Sequence, residues 1–161
     1  MEDATGRSPR PDLFSASLSA GPVEAGFSQR AAFFVAFLGG PFAALAFHAW
    51  NAKLWGRLAQ DLPWLLAGLL LAAASVPAIL VWKPALVAAG LPADFVRLLS
   101  RAMGLVLWGI FTLRHRALHR AQVLSQLEPR SPWVPGLVCG ALALLVSLAL
   151  GGATVLLGGP R

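Results

Sequence analysis

Long apolar blocks separated by short polar breaks run through most of this chain. The blocks at 31–50, 63–82 and 133–157 are each long enough to cross a bilayer. A helix rising about 1.5 Å per residue needs roughly twenty residues to cover a hydrocarbon core of about 30 Å. Arg30 precedes the first block, and Asn51 and Lys53 follow it. Asp61 stands where it could cap the second, which opens on Pro63-Trp64 and closes at Lys83-Pro84. A further span is expected at 95–113. Its uninterrupted apolar part, 102–113, is too short to cross alone, so the helix is extended back through Arg101, Ser100 and Arg97 to Asp94, a candidate N-cap. Arg97 and Arg101 then share a face and reach together toward headgroups. A re-entrant hairpin is the rival reading of this segment.

Leu113, Ala117, Leu118, Ala121, Leu124 and Leu127 hold a helical period, which predicts a basic amphipathic stalk over 114–128. Residues 1–30, with Pro9, Pro11 and Pro22 among scattered Ser and Gly, predict a disordered or surface-lying tail. Leu13 to Leu18 is its one candidate for a short element. No apolar stretch of signal-peptide type opens the chain. The expected fold is therefore all-α: a polytopic membrane protein with a bundle of four transmembrane helices occupying 31–161.

Composition supports lipid as the solvent. The apolar share is 57% and the charged share 12%, against about 45–50% and about 25% in soluble domains. A soluble chain of 161 residues needs a charged shell that these residues cannot supply. The net charge of +6 points to anionic headgroups, because the basic residues fall between apolar blocks without aromatic interleaving. Nucleic acid is accordingly not an expected partner. Four arginines and two histidines cluster in 114–130, whereas the N-terminal tail carries four acids. That asymmetry places the basic loops in the cytoplasm and both termini outside. Trp50, Trp55, Trp64 and Trp133 fall at the cytoplasmic ends of the expected spans and Trp82 at the opposite end, as interfacial anchors do; mid-span Trp108 is expected to pack on another helix.

Candidate chemistry is sparse. Gly39-Gly40-Pro41 interrupts the first span at mid-depth, where a broken helix either packs closely on a neighbour or exposes carbonyls to a bound ion. Gly136 and Gly140 form a GxxxG that suits close helix packing. Arg114, Arg116, Arg120 and Arg130 offer a basic contact for the membrane surface or a partner. His115 and His119 are four apart, but Arg114, Arg116 and Arg120 surround them, so no metal is expected; His48 with His115 is weighed as a haem pair and set aside because His115 lies beyond the apolar block. All three histidines are read as interface-facing, and Cys139 as a buried small hydrophobe. All seven acids lie outside the apolar cores, and no hydrolase, phosphate-loop or metallopeptidase motif occurs. No catalytic residue and no cofactor are expected.

The stretch Ala36-Phe37-Leu38-Gly39-Gly40-Pro41-Phe42-Ala43-Ala44, followed by Asn51, Leu54 and Gly56, resembles a loosely defined group of small bacterial membrane proteins. These have a Gly-Gly-Pro break in span one, and Ser131-Pro132-Trp133 resembles the opening of their last span. Trp55, between Leu54 and Gly56, departs from the pattern. The resemblance implies a four-span protein of the bacterial inner membrane and supplies no activity. The expected function is that of a non-enzymatic structural or accessory protein binding a partner or lipid. The alternative is a small oligomeric transporter or channel working through the Gly39–Pro41 break.

Overall fold

The computed structural model describes residues 25–157. The 1–24 part of the expected tail, with its Leu13–Leu18 element, lies outside them. Every regular element among the described residues is helical: α1 (Gln29–Leu54), α2 (Leu58–Ala88), α3 (Ala93–Arg114), α4 (Arg116–Leu124) and α5 (Trp133–Leu157). Three of these are long and apolar enough to cross a membrane, α1, α2 and α5. α3 has 22 residues without interruption, a length of about 33 Å, but carries more charge along it than the other three.

α1 is not one rod. Gly40 inside it has φ 71° and ψ −161°, a backbone conformation essentially closed to residues with a Cβ. The chain reverses there. A straight helix would put Phe27 and Asn51 more than about 30 Å apart. Instead the Phe27 N–H donates to Asn51 Oδ1 at 2.8 Å, and the Phe27 ring lies 4.9 Å from that of Phe47. Residues 29–39 and 41–54 are therefore the outgoing and returning arms of a helical hairpin. The expected single span at 31–50 is corrected accordingly: each arm, about 16 to 21 Å long, is too short to cross a bilayer.

Its sequence favours this shape. Pro41 lacks an N–H and is preset for the first turn of the returning arm, where that N–H would have no intrahelical acceptor. Ala32, Ala36, Ala43 and Ala44 are buried, and such small side chains let two arms lie close. At the open end Ser28 caps the outgoing arm by accepting from Ala31 N–H at 3.2 Å. Residues 25–30 are thus built into the fold, with Phe27 buried and the Gly26 carbonyl accepting from Gln122 Nε2 and the Arg130 N–H. A loose tail extending to residue 30 does not describe them.

The other helices pack around the hairpin. α3 lies along the returning arm: Gly104 meets the tip, Leu107 and Leu45 share the core, and Phe111 stacks on His48. α2 runs antiparallel to α3, with Asp61 beside Arg114 and Gly68 against Leu45 and Leu107. It continues past Pro77 and Pro84 to Ala88, beyond its expected end at Trp82. α5 starts at the open end of the hairpin, with Gly136 against Val35 and Gly140 against Gly39. Past the tip only α2, α3 and α5 continue, and most of their large apolar side chains are exposed. Trp108 packs edge-on against Phe33, with ring centroids 5.3 Å apart.

Candidate functional site, a polar layer at the open end of the hairpin

Four elements meet at the open end and bring polar side chains into an otherwise apolar molecule. The returning arm ends on His48, Asn51 and Trp55; α2 opens with Asp61; α3 closes with Arg114; and His115 joins it to α4. Asp61 is fully buried. Its Oδ1 accepts from Arg114 Nε at 2.8 Å and its Oδ2 lies 2.7 Å from His115 Nε2. It does not cap α2, whose N-cap is Arg57 with no side-chain bond. A buried carboxylate is tolerated because a cation and a second hydrogen-bonding group hold it. Arg114 also donates to the Gln60 carbonyl at 3.3 Å and lies 5.0 Å from the centre of the Trp64 ring. It is thereby tied to α2 and not free to contact a membrane surface or a partner.

The histidines are not interface-facing. His48 is 2% exposed, with its ring stacked 4.8 Å from Phe111 and 6.3 Å from His115. Trp55, expected at the interface, is instead wedged between His115 and His119, at 5.2 and 5.0 Å, with its ring against Gly26. Burial and the nearby His115 lower the His119 pKa from 6.5 to about 4, so this ring is neutral at pH 7. His115 is turned to Asp61 and His119 to Trp55, so the pair does not converge. Among the described residues no group of three His, Cys, Asp or Glu side chains could hold a metal.

α4 does not project as a stalk. His119 and Gln122 are buried against the base of the hairpin, and a turn with Gln126 at φ 52° ends the helix. Between α4 and the first turn of the outgoing arm lies an open groove of about 700 Å³. Arg30, Arg116 and Arg120 line it, with Val123, Leu124 and Leu127 on its apolar side. None of these three arginines is paired with an acid among the described residues. Arg130 lies just beyond, its N–H bonded to the Gly26 carbonyl.

The remaining expected positions lie elsewhere. Gly39, Gly40 and Pro41 form the tip, with Gly40 and Pro41 buried. Gly104 of α3 meets this tip so closely that an added Cβ would come 2.7 Å from the Ala36 carbonyl oxygen and 2.8 Å from the Gly40 carbonyl carbon. Gly136 and Gly140 pack α5 on the outgoing arm. Sequence reasoning did not single out Gly104 or Gln122, and it gave His48, Asn51 and Asp61 other roles. The available signal was spacing, since His48 and Asn51 sit three apart on an apolar helix and so share a face. Comparison of the chain with protein-family models, with curated proteins and with solved structures gives no match.

Proposed function

We propose that the chain is a non-enzymatic accessory protein of the bacterial inner membrane whose basic end lies in the cytoplasm and binds anionic headgroups or a membrane-protein partner. The observation that carries this reading is the sorting of charge by the fold. Because α1 turns back, Arg30 joins Lys53, Arg57, Arg114, Arg116, Arg120 and Arg130 at the open end of the hairpin. Lys83, Arg97 and Arg101 sit at the level of the tip or beyond. In a four-span layout Arg30 would count on the opposite side, and the two sides would nearly balance. With the hairpin re-entrant from the basic side, the chain crosses three times through α2, α3 and α5, and the positive-inside bias supports a cytoplasmic basic end. The first described residue and the end of α5 then lie on opposite faces.

A transporter working through Gly39–Pro41 is less well supported, because Gly104 and Ser100 of α3 fill the space beside Gly40. The buried Asp61 group is best read as a staple among α2, α3 and α4, since its carboxylate oxygens are taken up by Arg114 and His115. The test is purification of the protein in native-membrane nanodiscs followed by native mass spectrometry and planar-bilayer recording. The reading expects anionic lipid or a stoichiometric protein partner to be retained, with no conductance. A self-associated ring that conducts ions would overturn it.

A further inference from the structure

The groove between α4 and the outgoing arm combines features that seldom occur together on a surface turned toward headgroups. Arg30, Arg116 and Arg120 line one side, all exposed and none paired with an acid among the described residues. The first turn of the outgoing arm adds the N–H groups of Gln29 and Arg30, which helix geometry leaves without an intrahelical acceptor. His119 lines the same groove while only 9% exposed, and its ring makes a contact to Trp55 but no hydrogen bond. Its neutral imidazole can donate one N–H to a ligand oxygen. Val123 and Leu124, both largely exposed, continue the groove as an apolar shelf.

We infer that this groove is a binding site for a phosphate-bearing amphiphile, an anionic phospholipid whose phosphate is held by Arg30, Arg116 and Arg120 and whose acyl chain lies on Val123 and Leu124. Guanidinium groups match phosphate oxygens in bidentate pairs, and a helix N-terminus adds donors of the right sign. The apolar shelf selects an amphiphile over a fully soluble ester, because headgroup and chain are then accommodated side by side. Lys53 and the other basic groups at this end contribute diffuse attraction without such a shelf. The inference rests on the proposed lipid-binding role of the basic end and gives that role a defined site.

The test is native mass spectrometry of the full chain, exchanged from mixed vesicles of phosphatidylglycerol and phosphatidylcholine into mild detergent. Three forms are compared: the unaltered protein, Arg116→Gln/Arg120→Gln, and Lys53→Gln as a basic-end control outside the groove. All three substituted positions are exposed, and unchanged helical circular dichroism checks that each form is folded. Retained phosphatidylglycerol is expected to fall about tenfold for each arginine removed, and to stay within about twofold in Lys53→Gln. Glycerol 3-phosphate alone is the probe for a free phosphate ester. Binding of it as tight as that of the lipid, with the same arginine dependence, would overturn the amphiphile assignment. Equal losses in Lys53→Gln and the arginine variant would overturn the site while leaving a diffuse basic surface in place. A failure of the unaltered protein to prefer phosphatidylglycerol over phosphatidylcholine would instead overturn the broader lipid-binding role.

Discussion

At the scale of single residues, two glycines and one carboxylate decide the architecture. Gly40 holds a conformation that any Cβ strains, so Gly40→Ala is expected to cost about 1–3 kcal/mol, read as a lowered unfolding midpoint in detergent. Gly104→Ala acts from the other side. Its new methyl would meet backbone atoms of Ala36 and Gly40 that cannot swing away, so the tip must separate from α3. Raised proteolysis or hydrogen exchange confined to 36–44 would report that separation, and unchanged protection there would count against the tight contact. Asp61→Asn removes the charge that compensates Arg114 and alters the contact to His115. Arg114 is 30% exposed and partly screened by water, which puts the expected loss near the low end for a broken buried pair, about 3 kcal/mol. Chemical unfolding of the variant would measure it; a neutral result would mean that Asp61 is not a staple.

At the scale of elements, the helices were legible in the sequence and their paths were not. Apolar blocks with polar flanks located α3 and α5 to within two residues and the middle of α2, which runs five residues earlier and six later than expected, because helix formation and bilayer thickness leave a large trace in composition. Gly39-Gly40-Pro41 marked the break in α1. Whether a break kinks or reverses a helix depends on the sign of one φ angle and on what packs at the tip. Gly104, the residue that admits the tip, is one of two glycines in an apolar run and carries no local signal. The Asp61–His115 contact joins positions 54 apart in sequence, which no periodicity encodes. The expected stalk failed for a different reason: Ala117, Ala121 and Leu124 of its apolar period stay exposed, and the polar face carrying His119 and Gln122 packs on the hairpin base.

The docking of α4 should depend on pH. Docked His119 stays neutral down to about 4, whereas a solvated imidazole takes up its proton near 6.5. The released form thus binds more protons between these values, so docking is fully present above about 6.5 and weakens as pH falls toward 4. Burial is the main cause of that low value and the nearby His115 the second; Arg116 and Arg120 line the same groove. Hydrogen-exchange protection of 119–124, corrected for intrinsic rates, is expected to fall over this window in the unaltered protein and to stay flat in His119→Leu. The same slope in both forms would assign the effect elsewhere.

At the scale of the whole molecule, the hairpin determines which side each charge occupies, and through that the proposed role of the basic end. The expectation that both termini lie outside followed from assuming that every apolar block of spanning length crosses. A Cys139→Ala background with single cysteines at Ser28, Arg57 and Gly90 gives the sidedness in cells. An impermeant maleimide should reach position 90 from outside, and positions 28 and 57 only after permeabilisation. The shape of α1 itself is the claim on which all of this depends, and one distance tests it. Spin labels at Arg30→Cys and Lys53→Cys in the same background, read by pulsed dipolar spectroscopy in nanodiscs, should lie within about 20 Å of each other if the two arms pack side by side. A separation near 35 Å, the length of a straight helix between those positions, would contradict the hairpin.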